Sequence, residues 1–269
     1  MILMKVKVLE IDGRQGAELE AQDAFNEQIR EDLIRRAVLS EDSFRLQPQA
    51  HSVMAGMQTT ASYYGAMNSY RTGRHVGHAM RPREKLGGGI QGKVKRIPSA
   101  VKGRRAHPHM IEKTLVEFIN TKEYRKALRS AIAATASKEY VGSKHVETEV
   151  PIVVSDSIEK ISKTKEMMNV LKSLKLLEMV ESCKEAKHLK NGRSGRERHY
   201  KKSFLLVVSK EDAPAIKAAR NIAGSDACAI SDIKAGLLAP GGRPGRIVIW
   251  SESAFKGIDE ELGRIKPPA

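Results

Sequence analysis

Residues 203–224 read SFLLVVSKEDAPAIKAARNIAG, and this stretch holds one complete unit of the fold. Its five consecutive apolar residues, 204–208, are too few for a helix and too uniformly apolar for a strand with one wet face. The pattern therefore predicts a strand buried on both sides. Residues 213–223 follow as a short helix that Gly224 ends. The same alternation runs outward in both directions. PIVVS (151–155) is a second β-branched strand, with Asp156 placed to cap a helix that reaches about Leu177 and turns Ile161, Met168 and Leu171 inward. DACAI (226–230) is a weaker strand or turn, followed by a helical turn from Ser231. RIVIW (246–250) is the last strand and 251–264 the last helix, with Ser251 or Ser253 as its cap.

Toward the N-terminus, MKVKVLEI adds a strand at a sheet edge. Phe25, Ile29, Leu33 and Ala37 then recur every four residues as the apolar stripe of a helix. Asn120 with Glu123 opens another helix, on which Tyr124, Leu128, Ala131 and Ile132 share a face. Strands alternating with helices require parallel pairing and helices on both faces. The expected fold class is α/β: a three-layer α/β/α, Rossmann-like globular domain with a mostly parallel sheet. It is interrupted by a long basic extended loop.

Charge locates that loop. The 269 residues hold 47 Lys+Arg against 32 Asp+Glu, a formal charge of +15. Between 45 and 109 lie twelve bases (Arg45, Arg71, Arg74, Arg81, Arg83, Lys85, Lys93, Lys95, Arg96, Lys102, Arg104 and Arg105) and a single acid, Glu84. Between 187 and 202 lie seven more (Lys187, Lys190, Arg193, Arg196, Arg198, Lys201 and Lys202) against Glu197. Outside these two stretches the net charge is −2, so the cationic character is confined to two insertions. Clustered cations release condensed counterions when they meet phosphates, which makes a polyanion the expected partner.

The expected organisation is 1–44 as the first strand and helix of the frame, 45–109 as the basic loop, and 110–269 as the rest of the frame with a short basic insertion at 187–202. The segment 45–109 holds 9 of the 21 glycines and 5 of the 8 histidines, and it keeps no helical or alternating period. It cannot pack a core of its own. Either it is disordered alone or it folds against a partner that supplies the missing surface. Tyr63, Tyr64 and Tyr70 lie among its arginines, and Tyr and Arg planes stack on unpaired bases.

Other chemistries find little support. Gly87, Gly89 and Gly92 match GxGxxG, but RPREK precedes and KVKRIP follows, so the strand and helix that a dinucleotide loop needs are missing. LAPGGRPGR (238–246) lacks the closing GK[ST] of a phosphate loop and reads as a tight loop into the last strand. His75 with His78, and His107 with His109, have no Cys or carboxylate nearby to complete a metal site. Histidines among arginines more often bond phosphate or stack on bases. Cys183 and Cys228 form no disulfide framework and no CxxC pair. The first residues, MILMKVKVLEIDG, read as strand and turn and not as a targeting segment. No apolar run approaches the ~20 residues of a membrane span, and the basic stretches are too broken by Gly and Pro for a membrane-surface helix. No catalytic residue, metal or cofactor is expected.

RIPSAVKGRRAHPH (96–109), RSAIAATAS (129–137), VPIVVSD (150–156), ARNIAGSD (219–226) and LAPGGRPGRIVIWSESAF (238–255) resemble the large-subunit ribosomal protein L-four family, in its archaeal and eukaryotic form. The likeness spans about 34–255. It implies a structural constituent of the large ribosomal subunit in the cytoplasm, with a globular domain on the subunit surface. A long loop would thread through ribosomal RNA to the wall of the polypeptide exit tunnel, and RNA would be bound early in assembly.

Carried onto this chain, the RNA-binding set is Arg45, Arg71, Arg74, His75, His78, Arg81, Arg83, Lys85, Lys93, Lys95, Arg96, Lys102, Arg104, Arg105 and His107, joined by the seven bases of 187–202. Tyr70, Arg71, Arg74 and His75 would form the tunnel-lining tip. The implied partners are large-subunit ribosomal RNA, neighbouring large-subunit proteins and the nascent polypeptide, with no membrane. An RNA-binding translational or transcriptional autoregulator that uses the same basic surface is the alternative.

Overall fold

Three short strands with no wet face set the plan. The computed structural model describes residues 5–63, 77–141, 149–192 and 195–267. The chain divides into two units, one of Met1–Arg45 with Val116–Ala269 and the other of Leu46–Leu115. In chain order the first unit opens with strands β1 (Lys5–Leu9) and β2 (Gln15–Glu20) and helix α1 (Glu31–Ser43). The second unit contributes β3 (Arg83–Lys85) and β4 (Gln91–Val94). The first unit resumes with α2 (Thr121–Ala136), α3 (Lys138–Val141), β5 (Ile152–Val154), α4 (Thr164–Ser173) and α5 (Leu177–Glu185). It continues through β6 (His188–Gly192), β7 (Gly195–His199), β8 (Leu205–Val208), α6 (Pro214–Arg220), β9 (Asp226–Ala229) and α7 (Ala235–Leu238). It closes with β10 (Val248–Ser251), α8 (Glu252–Lys256) and α9 (Ile258–Arg264).

The main sheet has the order β2-β1-β5-β10-β8-β9. Every neighbouring pair is parallel except β1 with β2. Alternate residues of the central strands feed two separate cores, as a period of two demands. Val153, Leu205, Val207, Val248 and Trp250 pack on one face with α1, α2 and the C-terminal helices. Ile152, Val154, Leu206, Val208 and Ile249 pack on the other with α4 and α6. The domain is three-layered for this reason. Trp250 is fully buried. It meets Phe25 edge-on at 5.7 Å, and Phe25 stacks on Phe255 at 4.7 Å.

Several expectations need correction. The stripe from Phe25 to Ala37 is not one helix. Phe25 sits in a 3-10 turn (Asp23–Asn26), and α1 begins only at Glu31, because Arg30 is extended and its N–H donates to Ser130 Oγ at 2.6 Å. The buried face of α1 is Ile34, Ala37, Val38 and Glu41. Asp156 does not cap the helix after it. Its Oδ1 accepts the Ser253 N–H at 2.8 Å, at the start of α8, and 156–177 holds a 3-10 turn before α4. Met168 packs partly buried against the core as expected, and Met167 beside it is the fully buried methionine of α4. The N-terminal strand is not at the edge, since β2 lies outside it; QGAELE alternates too weakly to announce a strand. The last helix is two, α8 and α9, and Ser251 is the cap, accepting from the Ala254 N–H.

Three charged groups tie the layers, Glu41 and Arg246 buried and Glu159 half-buried. Glu41 accepts from Tyr124 Oη (2.6 Å) and from the N–H groups of Ala235 and Gly236 (2.8 Å each), at the start of α7. Burial, then the charge of Glu41, pushes the Tyr124 hydroxyl far up from its ordinary range. Glu159 accepts from Ser209 N–H and Ser251 Oγ, both at 2.7 Å, beside the carboxyl ends of β8 and β10. In sheets of this plan ligand clefts open at strand carboxyl ends, and here that end is tied together by the protein's own side chains.

Arg246 is the third, with its side chain 2% exposed. It donates to the carbonyl oxygens of Ser203, Phe204, Gly224 and Leu237 and pairs with Asp226 at 2.7 Å. Gly245 just before it has φ +91, and a Cβ there would lie 2.4 Å from the Tyr140 carbonyl oxygen, so only glycine fits.

Candidate nucleic-acid interface

Unit Leu46–Leu115 is built without a core. Neither hydrophobic cluster of the chain contains a residue from it. Among its described residues ten large apolar side chains are exposed instead, Leu46, Val53, Met54, Tyr63, Met80, Leu86, Ile90, Val101, Met110 and Ile111, while Met57, Val94, Ile97 and Leu115 are half-buried. Backbone hydrogen bonds hold the segment in place of packing. Ser62 and Arg83 exchange two bonds of 3.1 Å, and Lys95 N–H donates to the Pro82 carbonyl at 3.0 Å. Strands β3 and β4 pair as an antiparallel hairpin. The GxGxxG glycines fall in and beside its turn, where Gly88 takes φ +73 and the Leu86 N–H bonds to the Ile90 carbonyl. The match therefore sits on a hairpin turn and not on the strand-to-helix turn of a dinucleotide loop.

The predicted bases fall on this frame as follows. Arg81, Lys85, Lys93, Arg96, Lys102, Arg104 and Arg105 are exposed, as are His78 and His107. Arg83 is half-buried, and Lys95 more so, its Nζ 3.9 Å from Glu84. Arg96 (φ 70) and Lys102 (φ 60) take left-handed backbone, which costs a non-glycine residue on the order of 1 kcal/mol and aims the side chain. Arg96 Nη1 thereby reaches the Ala61 carbonyl at 3.0 Å. Among the described residues no carboxylate lies within ion-pair distance of Arg104 or Arg105. Arg45, at the end of the first unit, is exposed and 3.5 Å from Asp42. Tyr70, Arg71, Arg74 and His75, the whole expected tip, and Arg193 lie outside the described residues.

The second basic stretch forms the hairpin β6–β7. Asn191 opposes Arg196 and Leu189 opposes Arg198, which puts both arginines on one face; Lys190 falls on the other. Lys187, Lys190, Arg196, Arg198 and Lys201 are exposed. Lys202 differs, because its Nζ donates to both Asp226 oxygens at 2.8 and 2.9 Å. Burial raises the Asp226 carboxyl, but Lys202 and Arg246 outweigh it and hold the group below its ordinary value. Lys184 and Arg220 join Arg198, Tyr200 and Lys202 along one groove. Sequence reading missed both, since they sit on separate helices and belong to no charge run.

Among the described residues no His, Cys, Asp and Glu cluster could hold a metal ion, and no helix is long and apolar enough to cross a membrane. The sequence profile of the ribosomal protein L4/L1 family matches residues 19–261. The large ribosomal subunit protein uL4 of Archaeoglobus fulgidus is 41% identical over 264 residues, covering 96% of this chain and all of the relative. That of Methanoculleus marisnigri is 40% identical over 262 residues, covering 96% and 99%. That of Methanocaldococcus jannaschii is 39% identical over 264 residues, covering 96% and 100%.

Proposed function

The chain belongs to the ribosomal protein L4/L1 family, and from that premise we propose that its coreless basic segment is the part that binds ribosomal RNA. Membership makes the chain a structural, non-enzymatic constituent of the large subunit of the cytoplasmic ribosome. The finer reading assigns roles. The exposed bases of 45–109, from Arg45 through His107, contact RNA phosphates, and the hairpin 187–202 makes a second contact. The tip, Tyr70–His75, lines the polypeptide exit tunnel beside the nascent chain. Binding comes early in subunit assembly, and neighbouring large-subunit proteins complete the surroundings.

One observation carries this reading: a 70-residue unit in which, among the described residues, ten large apolar side chains are exposed and Arg104 and Arg105 have no carboxylate partner. Such a segment gains nothing by burying itself, and an RNA supplies what it lacks. Phosphates meet the arginines, and unstacked bases meet the apolar side chains. Ordering is completed at the moment of binding, so the segment follows a path that a preformed globule could not enter.

The frame permits a direct test. Ser40 Oγ donates to the Glu117 carbonyl at 2.6 Å and the Glu117 N–H donates to Ser43 Oγ at 3.0 Å, so the two chain ends that flank the segment are already joined within the first unit. Replacing 46–115 by a short Gly/Ser linker should leave the α/β domain folded by circular dichroism. Affinity for large-subunit ribosomal RNA should fall, and the salt dependence of what remains should flatten. Equal binding of both versions to ribosomal RNA and to a length-matched unrelated RNA would reject the proposal.

A further inference from the structure

Two limbs of the coreless segment, 50–55 and 104–112, enclose a cavity of about 190 Å³. The limbs touch where Gly56 meets Gly103. Gly56 has φ +76, and a Cβ on it would fall 2.4 Å from the Gly103 carbonyl oxygen. Val53, Pro108, Met110 and Ile111 give the cavity apolar walls, and Arg104 and Arg105 line it as well. Val53, Met110 and Ile111 are 88, 54 and 68% exposed, so none of the described residues covers them. Water is a poor occupant of such walls.

We propose that this cavity receives one unpaired nucleobase of the RNA, a site that rests on the RNA-binding reading of the segment and extends it beyond phosphate contact. Charge selects the occupant. Both arginines lack a carboxylate partner among the described residues, and His51 and His109 add two imidazoles to the lining. An apolar side chain from a protein partner would satisfy the walls and leave both guanidinium groups unanswered. A flipped-out nucleotide satisfies both, because its heterocycle enters the apolar slot while its flanking phosphates meet Arg104 and Arg105. Glu112, the one acid of the lining, offers an acceptor for an exocyclic amino group.

The test separates this site from the reading beneath it. Salt-dependent titrations of the full chain against a large-subunit ribosomal RNA transcript would compare two double variants. Met110→Ser with Ile111→Ser should lose about tenfold in affinity at every salt concentration with an unchanged salt slope. Arg104→Gln with Arg105→Gln should lower the slope by about two. Met110→Leu, which keeps the wall apolar, should bind like the unaltered chain. With 4-thiouridine in the transcript, photocrosslinks should fall within 50–55 or 104–112. If the serine variant binds normally while the glutamine variant loses slope, the base site is wrong and the RNA-binding segment stands. If neither variant changes binding, the RNA-binding reading of this segment falls with it.

Discussion

The two units of this chain spend their apolar residues in opposite ways. In the α/β unit Trp250, Phe204, Phe255 and Leu206 are fully buried, and even a guanidinium is enclosed. In Leu46–Leu115, Ile90 is 64% and Val101 83% exposed, and among the described residues Arg104 and Arg105 stand without carboxylates. The first unit satisfies itself and stands as the anchor. On the proposed reading the second is specified by sequence and completed by RNA.

The sharpest way to break the contrast is a pair of large-to-small substitutions. Trp250→Ala should cost about 3–5 kcal/mol in urea unfolding, through lost burial and a cavity between Phe25 and the sheet. Ile90→Ala should cost less than about 0.5 kcal/mol, because its side chain already sits in water. Comparable losses at both sites would mean that the second unit has a core after all.

Next in size is Arg246→Leu. It removes a donor from four carbonyl oxygens, of which Phe204 and Gly224 keep backbone partners, and leaves Asp226 with Lys202, at a cost of about 3 kcal/mol. The same pair sets an acid limb. The folded-state value of Asp226 is lowered, so its stabilisation is fully present above the ordinary carboxylate range, near about pH 4, and is lost as pH falls through the lowered value. Urea midpoints followed downward from pH 7 should decline on that limb, and less steeply in Arg246→Leu.

The smallest effect on folding belongs to Arg104→Gln with Arg105→Gln, within about 0.5 kcal/mol by thermal melts. Its visible consequence is confined to RNA binding. A large destabilisation by this variant would tie the arm's charges to its own fold and undo the division of labour.

Much of this was legible in the sequence, and the limits have physical causes. The runs IVV, LLVV and VIW have no room for a wet face, so period and length alone determined three central strands and two covered faces. Charge counting located both basic stretches, because net charge is a property of composition. A serine cap after the last strand followed from hydroxyls next to an apolar run, and the structure selected Ser251 over Ser253. Tertiary structure alone decided that Asp156 caps a helix nearly a hundred residues away, that α1 waits until Arg30 has bonded Ser130, and that β2 covers the edge beside β1. It alone turned Arg246 inward onto Asp226, and it alone brought Val53 beside Met110 at the crossing of two glycines. Local pattern determines what a segment can bury. Which partner it is buried against depends on contacts between residues far apart in the chain, and no spacing records those.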